Sequence, residues 1–292
     1  MRFSLKQIQV FLAVANHENV SRAASELAMS QSAASTSLKQ LEQRFDLKLF
    51  DRVGKRLQLN EQGALLRPRA VALVSQALEL ENSLVNPSAV GEVKVGATLT
   101  IGNYLAIGIM AEFMNEFPDA RVGLTVENTS SIASKVRNFE LDIGLVEGEL
   151  QEPDLDVRYW RDDELSLFCA PEHPLAAMPR LSEQDLLAAK WIIREKGSGT
   201  RQAFDRAMSG ILSNLNIRLE LQHTEGIKRA VEAGLGIGCL STISLEDAFK
   251  RGSLVPLSAS HRNWTRKFYF ILHRQKFLSS GVQAWIDHCR SA

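Results

Sequence analysis

Residues 11–63 read FLAVANHENVSRAASELAMSQSAASTSLKQLEQRFDLKLFDRVGKRLQLNEQG, and their pattern determines how the amino-terminal part of the chain folds. Together with the apolar residues just before it, this stretch repeats apolar side chains every three or four positions in three segments, which predicts three helices. Ala23 and Ala24 in the second helix allow two helix backbones to approach closely, as a helix-turn-helix crossing requires. Alternating apolar residues on either side of Gly54 predict a β-hairpin. The stretch therefore predicts a winged helix-turn-helix.

The third predicted helix carries a polar face opposite its apolar face. This face consists of short hydrogen-bonding side chains and one basic side chain: Gln31, Ser32, Ser35, Thr36 and Lys39. Near a helix N-terminus, such side chains suit the base edges of the major groove. The hairpin carries the basic residues Arg52, Lys55 and Arg56, which suit phosphates and the minor groove. Taken by itself, the polar helix face has a second interpretation, a merely solvated surface.

The charge of the chain is distributed unevenly. Of 292 residues, 34 are Lys or Arg and 34 are Asp or Glu, so the formal net charge is zero. Residues 1–70 nevertheless hold eleven basic against six acidic residues, whereas residues 91–292 hold 23 against 26. This asymmetry indicates that only the amino-terminal part meets a polyanion such as nucleic acid.

Residues 60–86 predict a long linker helix, and NPSAVG at residues 86–91 predicts the hinge that follows it. The apolar residues of this helix have the four-three spacing of a heptad repeat: Leu66, Ala70, Leu73, Ala77, Leu80 and Leu84. A long helix with such a stripe requires a partner, and a second copy of the helix would give a dimer. Packing of the helix on its own chain is the alternative.

From residue 91 onward, short apolar strands alternate with amphipathic helices. This rhythm predicts a parallel sheet with helices on its faces, and it recurs beyond residue 162. We therefore expect an α/β domain of two Rossmann-like lobes, resembling periplasmic binding proteins. The expected organisation is a winged helix-turn-helix of α+β class (1–59), the linker helix (60–86) and the two-lobed domain (91–292), with lobe I at 91–162 and 266–292 and lobe II at 163–265.

In such sheets, ligands bind at the carboxyl ends of the strands, against helix N-termini. Four loops fit that position: ATLT (97–100), ENTSS (127–131), EKGSGTR (195–201) and HTEGIK (223–228). Their hydroxyls, amides and charges favour a small anion, and the candidate residues are Thr98, Thr100, Asn128, Ser130, Gly197, Ser198, Gly199, Thr200, Arg201 and Glu225. Arg201 is the expected counter-charge of the anion. Simple helix capping is the alternative for each hydroxyl.

Glu147 ends a strand at the same edge and is a further candidate. In an anion pocket, its carboxylate could accept a hydrogen bond from a protonated ligand or orient Arg194 or Arg201. A surface position is the other interpretation. We include Glu147 among the pocket residues.

Missing motifs argue against other classes of protein. The chain has neither GxxxxGK[ST] nor GxGxxG, so a phosphate-handling enzyme built around EKGSGTR lacks the usual loop. GxSxG, HExxH and Cys/His clusters with metal-ligand spacing are also missing from the sequence. We therefore predict no catalytic residue, no cofactor and no metal. A transport-type binding protein would leave residues 1–85 unexplained.

The cysteines and the apolar segments indicate where the protein works. The chain has three cysteines, Cys169, Cys239 and Cys289. Because their number is odd and no two of them form a CxxC motif, we expect reduced thiols. Neither a signal peptide nor a membrane-spanning segment is evident. We expect a cytoplasmic protein without a membrane partner.

The amino-terminal stretch resembles the winged helix-turn-helix of the LysR-type transcriptional regulators in its alanine pair, SQSAAS, LKQLEQRFDLKLFDR and LNEQG. The two-lobed body is similar to the effector domain of that family, so the resemblance covers essentially the whole chain. It implies a ligand-responsive DNA-binding regulator in which the residues matching Gln31, Ser32, Ser35 and Thr36 face the bases. Thr36 stands where the family often has arginine, so operator preference should differ.

The resemblance also implies partners. Such regulators bind double-stranded DNA at interrupted inverted repeats, dimerise through the linker helix, commonly form tetramers and contact RNA polymerase. TLTIGN (98–103) is similar to the paired threonines of the sulfate-responsive members. We therefore expect a sulfur oxyanion as effector, with an aromatic or other organic carboxylate as the alternative.

Overall fold

The computed structural model describes three ranges of the chain: 1–54, 56–85 and 90–291. The chain forms two compact units. The first, which we call the head unit, is Met1–Gly91 with Gln275–Gln283, and the second, the lobed unit, is Glu92–Arg274 with Ala284–Ala292. No helix among the described residues is long and apolar enough to cross a membrane.

The head unit begins with three short helices: α1 (Leu5–His17), α2 (Val20–Glu26) and α3 (Gln31–Arg44). Each helix starts at a polar residue whose side-chain oxygen accepts a backbone N–H: Ser4, Asn19 and Ser30. An antiparallel hairpin follows and leads into a long helix: β1 (Phe50–Val53), β2 (Arg56–Leu59) and α4 (Glu61–Val85). Lys55, at the predicted wing tip, lies outside the described residues.

The alanine pair is at the centre of the head core. Ala23 and Ala24 are 0% and 2% exposed and pack in one cluster with Phe11, Leu38 and Leu49. Their single methyl groups allow α2 to lie close to both α1 and α3. The helix-turn-helix crossing therefore follows from the side-chain volumes.

The apolar stripe of α4 lies in two environments. Ala70 is buried in the head core, and Leu66 and Leu73 pack against that core. Leu80 and Leu84, by contrast, are 63% and 79% exposed. The first half of the stripe thus packs on its own chain, which is the alternative that the sequence left open. Residues 86–89 of the expected hinge lie outside the described residues.

The lobed unit contains nine strands among its described residues. They are β3 (Glu92–Ala97), β4 (Arg121–Val126), β5 (Ile143–Glu147), β6 (Leu155–Cys169), β7 (Lys190–Arg194), β8 (Asn216–Leu221), β9 (Ile237–Ser241), β10 (Val255–Leu257) and β11 (Thr265–His273).

Its helices are α5 (Leu99–Ile101), α6 (Ile107–Glu116), α7 (Thr129–Arg137), α8 (Glu183–Ala188), α9 (Gly199–Ala207), α10 (Thr224–Glu232) and α11 (Thr242–Arg251), and α12 (Ser280–Ser291) has residues in both units. A π-helical turn, Gly102–Ala106, joins α5 to α6, and 3₁₀ turns occupy Pro174–Ala177 and Leu212–Asn214.

The sheet is mixed rather than purely parallel. Its strand order is β4-β3-β5-β11-β6-β9-β7-β8, and β10 pairs with β6. Strands β3, β4 and β5 of lobe I are parallel, and so are β7, β8 and β9 of lobe II. The difference comes from β6 and β11, which pair antiparallel with each other and carry the chain between the lobes. This arrangement brings loops of both lobes together at the carboxyl ends of their parallel strands.

Candidate functional site

Loops of the two lobes touch at the predicted edge of the sheet. Asn128 caps α7 in lobe I, and its Nδ2 donates to Glu195 Oε1 of lobe II over 3.3 Å. Ser130 donates from its backbone N–H and its Oγ to the Gly197 carbonyl, at 3.2 and 3.3 Å. The Gly199 N–H donates to Thr129 Oγ1 over 3.2 Å. The ENTSS and EKGSGTR loops therefore form a direct contact between the lobes.

Gly199 sits at the tightest part of this contact. A Cβ atom added to Gly199 would lie 2.1 Å from the carbonyl oxygen of Glu147. Gly197 has a φ of +90°, a conformation that favours glycine. The glycines of EKGSGTR thus allow lobe II to lie close to lobe I.

Glu147 receives hydrogen bonds from both lobes. Its carboxylate accepts the Thr100 backbone N–H of lobe I at 3.1 Å and the Thr200 hydroxyl of lobe II at 2.9 Å. The guanidinium of Arg266, on β11, forms an ion pair with the same carboxylate, and both side chains are 1% exposed. We call the donors Thr100, Thr200 and Arg266 the inner subsite.

Arg266 connects this carboxylate to the crossing strands. Its Nη1 donates to Thr200 Oγ1 over 2.8 Å and its Nη2 to Thr100 Oγ1 over 3.3 Å. Its Nε donates to Asp163 on β6, which in turn accepts the Ser241 hydroxyl at 2.8 Å. One buried guanidinium therefore lies between two buried carboxylates.

Electrostatics keep Glu147 and Arg266 ionised at neutral pH. Burial alone would raise the pKa of Glu147, but Arg266, Thr100, Arg194 and Thr200 together hold it below its ordinary value. Burial opposes the charge of Arg266, yet Glu147 and Asp163 raise the net pKa of that guanidinium. The inner subsite therefore already holds an anion, the carboxylate of Glu147.

A second polar cluster, formed by Tyr104, Glu225 and Lys228, joins the two lobes. Lys228 on α10 is 8% exposed, and its Nζ donates to the Tyr104 hydroxyl and to the Ser244 carbonyl, both at 3.2 Å. The Tyr104 hydroxyl donates to Glu225 Oε1 over 2.9 Å, and Glu225 also pairs with Lys228. Burial lowers the pKa of Lys228, but Glu225 and Tyr104 outweigh it, so the net pKa is raised and the ammonium stays charged.

Two threonine hydroxyls at helix starts have no partner among the described residues. Thr98 precedes α5 and is 2% exposed, and Thr224 is the first residue of α10 and is 3% exposed. The Oγ1 atoms of both are buried without a hydrogen bond. Buried polar atoms are almost always satisfied in proteins, so such a pair needs an explanation.

Arg201 does not join the groups that converge on Glu147. Its guanidinium pairs with Asp205 at 2.7 Å and with Glu220 at 2.6 Å, and it donates to the Arg194 carbonyl at 3.0 Å. These partners lie within lobe II. The expectation that Arg201 neutralises a bound anion stays a prediction, whereas the ion pair with Glu147 is made by Arg266. Ser198 caps α9 by accepting the Thr200 N–H.

The sequence did not single out Arg266, Asp163 or Lys228. One signal for Arg266 was available: in β11 it occupies the same face as Phe268 and Phe270, which are fully buried. A charge at such a position needs a buried counter-charge. The partner, Glu147, lies 119 residues away in the chain, so sequence spacing could not identify it.

A polar groove of about 560 Å³ lies along another face of α9. Glu149 and Gln202 exchange two hydrogen bonds across its edge, at 2.9 and 3.0 Å. Arg206 pairs with Glu149 at 2.9 Å, and the two side chains are 46% and 64% exposed. This is a solvated contact between the lobes, in contrast to the buried inner subsite.

The predicted DNA-contacting side chains are exposed on the head unit. Gln31, Ser32, Ser35, Thr36 and Lys39 lie on the exposed face of α3, while Ala34 and Leu38 face the core. Arg52 and Arg56 are exposed on the hairpin. The face therefore leaves its donors and acceptors available to a partner.

Comparisons with known proteins agree with this architecture. Residues 5–64 match the family model described as bacterial regulatory helix-turn-helix protein, lysR family, and residues 87–292 match the LysR substrate binding domain. The chain belongs to the LysR-type transcriptional regulators. These proteins are DNA-binding regulators rather than enzymes, they respond to small-molecule effectors, and they form oligomers.

Individual relatives show the same organisation. The HTH-type transcriptional regulator YeiE of Escherichia coli (strain K12) is 39% identical over 292 residues, which cover 100% of this chain and 99% of that protein. A full-length point variant of OxyR from Pseudomonas aeruginosa is similar in fold, with a TM-score of 0.76 and 21% identity over 99% of this chain and 95% of that one. The regulatory domain of Synechocystis PCC6803 CcmR, solved in complex with 2-PG, is 29% identical with a TM-score of 0.64, covering 69% of this chain and 96% of that domain.

Proposed function

We propose that this LysR-type regulator senses a small oxyanion in the cleft between its two lobes. The observation that carries the proposal is the convergence on Glu147: donors from lobe I, lobe II and a crossing strand all hold one carboxylate. Helix N-termini and hydroxyls of this kind bind anions in many proteins. The cleft is thus built to hold negative charge, and the related CcmR domain was solved with the ligand 2-PG.

A sulfur oxyanion is the effector that we favour within this class. Of the paired threonines, Thr98 immediately precedes α5 and Thr100 lies within it, and the close approach at Gly199 leaves little room for a bulky group. An aromatic or other organic carboxylate is the alternative, because Tyr104 offers one ring beside the cleft.

Thermal-shift measurements on the full chain distinguish these effectors. We expect sodium sulfite or sodium sulfate to raise the melting midpoint at constant ionic strength, because a ligand that binds only the folded state stabilises it. Sodium chloride at the same ionic strength is the control. If an aromatic acid such as benzoate stabilises the protein and both sulfur oxyanions do not, the choice of effector is wrong.

On DNA, we propose that Gln31, Ser32, Ser35, Thr36 and Lys39 read bases while Arg52, Lys55 and Arg56 contact phosphates. The support is the exposure of the α3 residues and of Arg52 and Arg56 on the hairpin, together with the basic charge of residues 1–70. One such head reads a half-site, so two heads of a dimer would read an operator that is an interrupted inverted repeat. We further propose that the protein acts in the cytoplasm and contacts RNA polymerase.

We also propose that the chain consists of three parts: the winged helix-turn-helix (1–59), the linker helix (60–86) and the two-lobed domain (91–292). Two chains would form a dimer through the exposed half of the apolar stripe of α4. Leu80 and Leu84 are too exposed to be accounted for by intrachain packing. Sedimentation velocity tests this point: Leu80→Asp with Leu84→Asp should shift the protein toward smaller species, and Leu78→Asp, on the other side of the helix, should not. Equal behaviour of both variants and the wild type would contradict it.

Regulation then follows from linkage. The anion binds one arrangement of the lobes more tightly than another, so binding shifts the population toward that arrangement. The same shift changes the spacing of the two heads in the oligomer, and with it the bend of the operator.

A further inference from the structure

We infer that Glu42 and Asn60 are positioning residues for DNA recognition, because together they fix the angle between α3 and α4 through a single peptide group. That group joins Lys48 to Leu49, in the segment between the end of α3 and the hairpin. We call Glu42, Asn60 and this peptide group the junction bridge. The inference rests on the proposed role of α3 in reading bases.

The two polar atoms of this peptide group bind different helices. The Leu49 N–H donates to Glu42 Oε1 on α3 over 2.9 Å. Asn60 Nδ2, at the start of α4, donates to the Lys48 carbonyl over 3.0 Å. In a trans peptide, the N–H and the carbonyl point in opposite directions from one rigid plane. Hydrogen bonds on its two sides therefore fix both helices against the same plane.

Glu42 is an acidic residue on the buried side of α3. It is 8% exposed and follows Leu38, which faces the head core, by four positions. Its side chain accepts the Leu49 N–H, and its backbone carbonyl accepts the Leu47 N–H over 3.1 Å. A carboxylate that is buried to this extent needs hydrogen-bond donors. Glu42 thus holds the segment that leads from α3 into the hairpin.

Asn60 has two functions at the start of α4. Its Oδ1 accepts the Gly63 N–H over 2.9 Å, as the side chain of a helix N-cap does. Its Nδ2 donates to the Lys48 carbonyl, and its backbone N–H donates to the Leu49 carbonyl over 3.1 Å. Aspartate caps helices as well as asparagine does, but an ionised carboxylate has no hydrogen to donate. Substitution can therefore separate capping from bridging.

The angle between α3 and α4 matters because the two helices have different roles in the proposed dimer. The side chains of α3 read bases, whereas α4 pairs two chains. The angle between them therefore sets how the two α3 helices are directed and spaced toward the half-sites. Random DNA is bound mainly through phosphates, which tolerate a change of angle better than base edges do. Loss of the junction bridge should thus reduce specificity more than general affinity.

Fluorescence anisotropy of the full chain tests the inference on two DNAs. The operator is the duplex that the wild type selects from a random-sequence pool, and an unselected duplex of equal length is the random DNA. We expect Glu42→Ala and Asn60→Asp each to reduce the ratio of operator affinity to random-DNA affinity about tenfold, comparable to one mismatched base pair. Glu42→Gln should keep the wild-type ratio, because its amide oxygen still accepts the Leu49 N–H.

Val10→Ala is the control for a merely structural effect. Val10 is fully buried in the head core on α1, so its truncation leaves a cavity but removes no hydrogen bond. A smaller folded fraction lowers both apparent affinities in proportion, and the ratio should stay at the wild-type value. Asn60→Asp should in addition keep the melting midpoint of the wild type, since aspartate still caps α4.

Gln31→Ala separates a failure of this inference from a failure of the proposed base reading. If Gln31→Ala lowers the ratio while Glu42→Ala and Asn60→Asp do not, the junction bridge does not position α3 and the inference is overturned. It is also overturned if Glu42→Gln loses as much of the ratio as Glu42→Ala, or if Val10→Ala does. A wild type that selects no duplex, or an unchanged ratio in Gln31→Ala, contradicts the proposed role of α3 itself and the inference with it.

Discussion

Two glutamates separated by one glycine show how position decides the role of a residue. Glu147 is 1% exposed and holds Arg266, Thr100 and Thr200, whereas the side chain of Glu149 is 64% exposed and pairs with Arg206 in a solvated groove. The same carboxylate is part of a buried network in one case and of a surface ion pair in the other.

This pair gives a matched test of stability. Glu147→Gln should lower the free energy of unfolding by about 3–5 kcal/mol, because it leaves a buried guanidinium short of a counter-charge. Glu149→Gln should cost at most about 1 kcal/mol, since exposed ion pairs contribute little. Urea denaturation of the full chain at pH 7 measures both. Similar losses in the two variants would contradict the buried network.

The pH dependence of stability has a definite sign. The folded-state pKa of Glu147 lies below its ordinary value of 4.5, so the ionised carboxylate stabilises the folded state fully above that pH. Its contribution is lost as the pH falls through the lowered folded pKa. The stability difference between wild type and Glu147→Gln should therefore shrink below about pH 4.5. Urea midpoints at pH 7, 4.5 and 3.5 measure the difference, and a constant gap would refute the assignment.

At the residue scale, the sequence predicted the hydroxyls and glycines of the site but not its charged residues. Hydroxyls and glycines that follow predicted strands, such as Thr100, Thr200 and Gly199, lie at the lobe contact because strand ends and helix starts are local features. Arg266 and Lys228 were not predicted as site residues because their roles depend on partners from distant parts of the chain. Arg201 shows the same limit: its neighbours on α9 and β8, unknown from sequence, bind its guanidinium.

At the element scale, the junction between the hairpin and α4 depends on one glycine. A Cβ atom at Gly63 would lie 2.2 Å from the Leu49 carbonyl oxygen and 2.7 Å from Leu59 Cδ2. The first of these is backbone and cannot move aside without shifting the chain. Gly63 therefore allows α4 to pack closely on the head.

Gly63→Ala should consequently destabilise the first turns of α4 by about 1–3 kcal/mol, the usual cost of overpacking. Gly108→Ala is the control, since Gly108 is exposed in α6 with nothing within 4 Å, and alanine should stabilise that helix by about 0.5–1 kcal/mol. Native-state hydrogen exchange with mass spectrometry reads both helices in one experiment. Unchanged protection of α4 would argue against the tight junction.

The helix α3 and the hairpin should contribute differently to DNA binding. Arg52→Ala should weaken binding to all sequences and reduce the salt dependence by about one counterion, because it removes a phosphate contact. Gln31→Ala should change which sequences are preferred, since it removes a base contact. Fluorescence anisotropy on DNA from upstream of the protein's own gene and on random DNA measures both. If the two variants lose affinity equally on both DNAs, the division of roles is wrong.

Element boundaries were predictable where local signals are strong. Apolar periodicity predicted three short helices and a long helix at residues 60–86, and the structure contains α1, α2, α3 and α4 (Glu61–Val85). The partner of α4 was not predictable in this way, because Ala70 packs on the head core while Leu80 remains exposed, and both have the same heptad spacing. Tertiary contact, not periodicity, separates the two halves of the stripe.

At the scale of the whole molecule, the two-lobed unit followed from the repeated strand-helix rhythm. The direction of the crossing strands did not, because β6 and β11 owe their antiparallel pairing to the passage of the chain between lobes. These strands carry Asp163 and Arg266, which form an ion pair. The connections that join the lobes therefore also place this ion pair between the lobes. We propose that an anion bound across the lobes acts through these connections on the geometry of the oligomer.

DNase I footprinting on the DNA upstream of the protein's own gene, with and without sodium sulfite at constant ionic strength, tests this coupling most directly. We expect a footprint over an interrupted inverted repeat whose length or half-site spacing changes when sulfite is added. An identical footprint at saturating sulfite, for a protein that calorimetry shows to bind sulfite, would contradict the claim that this regulator senses the anion through its lobes.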